Sequence, residues 1–186
     1  MKQIKISYNT QTFFSTSKVF FFILLIWAIS LFLRLNVYDS EVPIFMDSLA
    51  SFSYAVDTMV LGGLPENYTV TKPGWPIFLT ALFSIFDFEQ TSSYMQLQKI
   101  SGIIFSSLAI FPLYYLCNRF VDKKYSIIPV ALFGFAPQLI ENSLYGTSYS
   151  LFILFFISTI FLFLSNSKKL IFCSFFLAGI TTIIRP

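Results

Sequence analysis

Seven of the nine carboxylates in this chain fall between Arg34 and Lys99, and a single base, Lys72, stands among them. Acids gathered in that way can supply a general base, and a lysine beside them can hold an anion. Asp47 shares helical spacing with Ser51, Tyr54 and Thr58, which puts a carboxylate and three hydroxyls on one stripe. Lys72 opens the run Lys72-Pro73-Gly74-Trp75-Pro76, where two prolines restrict the backbone around a cation. Arg34, Glu141 and Arg185 lie at the ends of apolar runs. An arginine at the outer end of a span calls for an anionic partner, either a carboxylate or a phosphate. Such residues can build a cavity with a carboxylate base and cationic phosphate clamps. Spacing alone is equally compatible with an interfacial helix bearing solvated aspartates and a lysine snorkelling beside a tryptophan.

The elements that must position these residues are membrane helices. Hydrophobic residues make up 56% of the chain and charged ones 11%, against about a quarter charged in soluble domains. Apolar runs at about 17–35, 99–118, 125–141, 148–165 and 169–184 each approach the roughly 20 residues that cross a bilayer core. The expected fold is therefore an all-α transmembrane bundle of about five spans in a single membrane domain, 1–186, reading as the amino-terminal portion of a longer protein. The first run is long and lacks a small-residue cleavage site, as a retained signal anchor does.

Charge sets the orientation. If Gly74–Phe86 does not cross, Lys2, Lys5, Lys18, Arg119, Lys123, Lys124, Lys168 and Lys169 share one side with Asp122 as its acid. The acid-rich loop, Glu141 and Arg185 take the other. The positive-inside rule then places the amino terminus in the cytoplasm and the loop outside. The large outer loop, 36–98, is expected to hold interfacial helices at 44–61 and 74–87. In the first, Phe45, Leu49, Phe52, Val56 and Val60 form an apolar stripe that would lie on the membrane. Asn67-Tyr68-Thr69 is an N-glycosylation pattern on the same side.

Other chemistries find little footing. No Lys/Arg cluster alternates with aromatics as nucleic-acid binding would require. Cys117 and Cys173 sit in apolar runs, and without histidine they offer no zinc site.

In order along the chain, these features resemble the polytopic GT-C glycosyltransferases, which include protein O-mannosyltransferases, lipid A aminoarabinose transferases and the oligosaccharyltransferase catalytic subunit. The matching features are a first span ending in Arg34, Asp47-Ser48 opening a loop helix, Gly62-Gly63-Leu64-Pro65 and Lys72-Pro73-Gly74-Trp75-Pro76. After them come Asn118-Arg119-Phe120, the segment Pro137 to Thr147, and Arg185-Pro186. The resemblance implies a polyprenyl-phosphate-linked sugar (dolichyl or undecaprenyl) as donor, and a protein, lipid or glycan as acceptor. It implies Asp47 as the catalytic acid, with Asp39, Glu41 and Glu141 as alternatives, and Lys72 as a lipid-phosphate contact joined by Arg34 or Arg185. In some relatives a divalent metal joins the outer-loop acids, a role that would fall here to Asp47 and Glu141. One departure is visible: where relatives place a second-loop acid, this chain has Ser148. Competing readings are a transporter or flippase for lipid-linked sugars, and a non-catalytic or incomplete membrane subunit. A flippase should carry ionisable residues deep within its spans, whereas here the acids gather at the outer ends.

Overall fold

The computed structural model describes residues 16–44, 46–65, 72–86 and 88–185. Among them every regular element is helical: α1 (Thr16–Val37), α2 (Met46–Leu61), α3 (Gly74–Phe83), α4 (Thr91–Leu108), α5 (Ile110–Cys117), α6 (Ile127–Phe135), α7 (Pro137–Leu144), α8 (Tyr149–Phe163) and α9 (Lys168–Ile184). The Asn67-Tyr68-Thr69 pattern, Phe45, Pro186 and residue 87 lie outside the described residues, as do the lysines before Thr16.

Among the described residues two helices are long and apolar enough to cross a membrane. One is α1, over Lys18–Val37; the other is α4 continued by α5, over Thr91–Cys117. The pair α6 and α7 makes a third if its 49° bend lies within one span. The expected five spans are thus met by two or three on length and composition. With 15 and 17 residues, α8 and α9 stop short of the about 20 that a straight crossing takes.

The bend has a local cause. Ala136 is extended (ψ 118°) and Pro137 has no N–H to continue the ladder. The carbonyl of Gly134 accepts instead from Ser30 Oγ at 2.9 Å and Arg34 Nη1 at 3.0 Å. Arg34 is fully buried and also donates to the Ser30 carbonyl, to Ser30 Oγ and to Ser106 Oγ. A cation at the carboxyl end of α6 is well placed in the helix field and binds α1, α4 and α6 together. Arg34 is therefore an internal cap.

Two apolar clusters lie toward opposite ends of the bundle. Val19 and Ile23 of α1 pack on Ile110, Tyr114 and Val130. Phe52 and Ala55 of α2 pack on Trp75, Leu79 and Phe83 of α3, with Leu151 and Ile184. The apolar stripe of α2 therefore divides. Phe52 faces α3, its ring 5.7 Å from that of Phe83, while Leu49 and Val60 are exposed.

The turns after α5 and α8 meet, because Arg119 donates to the Leu164 carbonyl and lies 5.1 Å from the Phe161 ring. Arg119, Lys123, Lys124, Lys168 and Lys169 thus gather at one end of the bundle.

Small residues allow the helices to approach closely. A Cβ on Gly102 of α4 would stand 2.8 Å from the Ser143 carbonyl oxygen of α7, whereas one on Gly179 of α9 meets nothing within 4 Å. Gly102→Ala should accordingly cost about 1–3 kcal/mol through forced separation of α4 from α7. Gly179→Ala should be neutral or slightly stabilising. Thermal unfolding in detergent would reveal the difference, and equal melting temperatures for the two variants would contradict this packing.

Candidate functional site

At the end opposite the basic turns is a cavity of about 370 Å³. Asp47 and Ser51 of α2 form one wall, and Lys72 and Trp75 at the start of α3 form the next. Thr147, Ser148 and Tyr149 come from the connection into α8, and Arg185 closes the site from the end of α9. Asp47 lies in the first turn of α2, where the helix field favours a carboxylate. Arg185 stacks on Tyr149, its guanidinium carbon 3.5 Å from the ring centroid, and donates to the Tyr149 hydroxyl. Thr147 Oγ1, in the same wall, is buried and has no hydrogen-bond partner among the described residues.

A buried hydrogen-bond hub beneath the cavity holds these walls. Gln98 of α4 is fully buried, and its Nε2 donates to the Ser48 carbonyl at 3.1 Å and the Gly146 carbonyl at 2.8 Å. Trp75 Nε1 donates to that same Gly146 carbonyl at 3.2 Å. Ser48 Oγ donates to the Tyr145 carbonyl. The residue after Asp47, the floor of α3 and the residue before Thr147 are tied together at one point. Gly146 has φ +67°, and a Cβ there would stand 3.1 Å from Gln98 Cγ, so the turn requires glycine. Gly74 makes the companion approach. Its Cβ would meet the backbone of Ile183 and Ile184 at 2.8–2.9 Å, which brings Lys72 toward Arg185.

Of the residues predicted from sequence, Asp47, Lys72 and Arg185 line this cavity, and Ser148 joins them. Arg34 does not; it is spent on the α6 carboxyl end. Asp39 accepts from the Glu41 N–H at 2.8 Å in an exposed turn, and neither residue lines the cavity. Lys99 secures that turn from beneath, donating to the carbonyls of Asp39 (2.8 Å) and Val42 (2.6 Å). Burial, and secondarily Asp39, push the nearby Tyr38 phenol above its ordinary value. Glu141 is exposed and accepts from the Tyr145 hydroxyl at 2.7 Å. That bond is the main cause that raises Tyr145, so the phenol remains a donor across the neutral range.

A divalent metal fits this arrangement poorly. Among the described residues Asp47 is the one carboxylate that lines the cavity, it shares the lining with Lys72 and Arg185, and Glu141 is outside. Among the described residues no group of three His, Cys, Asp or Glu could hold a metal. The cations in the described lining are the side chains of Lys72 and Arg185.

Sequence reasoning missed Gln98, Lys99, Thr147 and Tyr149. The signal for the first two was present: Gln98, Ser101, Gly102 and Ser106 are buried at helical spacing, a polar and small stripe on α4. No protein-family model matches the chain, and no curated protein matches it either.

Replacing Gln98 by Met keeps much of the volume but removes both amide donations, leaving Trp75 Nε1 as the side-chain donor to the Gly146 carbonyl. The expected cost is about 1–3 kcal/mol of stability. Hydrogen exchange should accelerate in peptides covering residues 145–149 and 47–51. Unchanged exchange there would show that the hub does not hold the cavity walls.

Proposed function

We propose that this chain carries the catalytic face of a membrane glycosyltransferase. It moves a hexose or pentose from a polyprenyl-phosphate donor to an acceptor hydroxyl on the extracytoplasmic side. In this reading α1, α4–α5, α6–α7, α8 and α9 all cross the bilayer, with the amino terminus in the cytoplasm. The observation that carries the proposal is the meeting of Asp47, Lys72 and Arg185 in one cavity from three distant parts of the chain.

The chemistry follows from their types. Asp47 takes the proton from the acceptor hydroxyl as its oxygen bonds to the anomeric carbon. The bond from that carbon to the phosphate oxygen breaks on the opposite face, so the configuration inverts. Lys72 and Arg185 take up the charge that develops on the leaving phosphate, and the hydroxyls of Thr147 and Ser148 are available to the same group. Ser148 stands where relatives of the resembling family have an acid, so among the described lining residues the base function falls to Asp47. The flippase reading draws less support. Arg34, the charged residue most deeply enclosed in the spans, is engaged by Gly134 and Ser106 and does not line this cavity.

Membranes containing the protein, supplied with radiolabelled polyprenyl-phosphate sugars, provide the assay. Asp47→Asn should lower transfer by about 100-fold or more with insertion and abundance unchanged. Lys72→Gln should weaken use of the donor while leaving Asp47-dependent turnover measurable at saturation. Full transfer by the Asp47→Asn protein would refute the assignment.

A further inference from the structure

A second cavity, which the proposed transferase reaction does not use, runs from the basic end of the bundle to the Ala136–Pro137 break. It is a groove of about 580 Å³ along α6, lined by Ile128, Leu132, Phe135, Pro137 and the small side of Ala131. Its lining is almost wholly apolar, and Ile128 and Leu132 are 60% and 70% exposed one helical turn apart. The groove exists because α6 stops at the Ala136–Pro137 break and α7 departs at 49°. An open apolar groove on a membrane-length helix pair faces hydrocarbon.

The segment that leads into the groove is charged. The segment Asp122–Ser126 is a compact turn in which the N–H groups of Tyr125 and Ser126 both donate to the Asp122 carbonyl, at 2.9 and 3.1 Å. That turn sets Lys123 and Lys124 in solvent immediately before Ile127, where the groove begins. Lys124 lies 4.6 Å from the Tyr125 ring centroid, and Phe120 and Tyr125 are exposed beside it. Exposed aromatics next to lysines mark the level of lipid headgroups. Asp122 is the acid of the turn, and its charge is outnumbered by Arg119, Lys123 and Lys124.

We infer that this is a binding site for an anionic glycerophospholipid of the leaflet at the basic end, with its phosphate at Lys123 and Lys124 and one acyl chain in the α6 groove. Charge complementarity selects the head, and the apolar groove continuing from it accepts the tail. The site is independent of the transferase reading, since the cavity containing Asp47 lies at the other end of the continuous α4–α5 rod. Each lysine near a headgroup contributes several-fold to anionic-lipid affinity, so the pair gives tenfold or more, as an order of magnitude.

The test is native mass spectrometry of the full chain, released from detergent and titrated with phosphatidylglycerol and with phosphatidylcholine. Wild type should retain one phosphatidylglycerol with about tenfold preference over phosphatidylcholine. K123Q/K124Q should bring that preference close to unity, and K168Q/K169Q, an equal charge change in the neighbouring turn, should leave it intact. Ala131→Trp, which fills the groove, should reduce retention of both lipids. Three results would overturn the inference: equal retention of the two lipids by wild type, a preference that survives K123Q/K124Q, or equal loss in K168Q/K169Q. The last would mean diffuse charge at the basic end and no built site.

Discussion

The amide of Gln98 is the contact on which the candidate site depends. It offers two N–H donors from inside α4, one taken by the carbonyl of Ser48 on α2 and the other by the carbonyl of Gly146 before α8. Buried main-chain carbonyls must find donors, and those two belong to segments with no regular structure joining them. One planar group therefore fixes the distance between the start of the Asp47 helix and the turn that presents Thr147 and Ser148. Trp75 brings α3, and with it Lys72, to the same oxygen. The Gln98 Nε2 and Trp75 Nε1 donors under the cavity are consumed in holding it, while Asp47 and Lys72 stand in its lining.

The rest of α4 extends this organisation. Lys99, next to Gln98, holds the turn that leads out of α1, and Gly102 lets α7 lie against α4. Ser106, a turn further on, meets Arg34. The α4–α5 rod of 27 residues spans roughly 40 Å, and its two ends have opposite characters. A polar cavity with a carboxylate and two cations lies at one end, and basic turns with exposed aromatics lie at the other. Arg34 keeps the rods in register between them by capping a helix that Pro137 interrupts.

Much of this was legible from sequence, and the misses share a cause. Periodicity located α2 over 44–61, against Met46–Leu61 observed, and the Lys-Pro-Gly-Trp-Pro run marked the start of α3 at Gly74. Charges at the ends of apolar runs drew attention to Arg34, Glu141 and Arg185, and the family resemblance singled out Asp47 and Lys72. Hydropathy began the second span at residue 99, whereas the helix starts at Thr91. Gln98 was thereby read as loop, although its polarity is directed inward. The same reasoning treated Arg34 as an outer-face anion binder. Only the Ala136–Pro137 break, which creates a carbonyl in need of a donor within the bundle, explains why an arginine is buried there. Residues 125–141 read as one apolar run for a related reason: composition does not register a bend at a proline that sits between two apolar segments.

The convergence of Asp47 with Arg185 is the claim on which the functional reading stands, and thiol cross-linking measures it directly. In a chain whose Cys117 and Cys173 are replaced by Ser, the pair Asp47→Cys and Arg185→Cys should be joined by a short bifunctional thiol reagent in native membranes. Both positions border the same cavity of about 370 Å³. Peptide mapping should then recover the 47–185 adduct. Its absence, under conditions where Arg119→Cys and Leu164→Cys are joined at the other end of the bundle, would contradict the site.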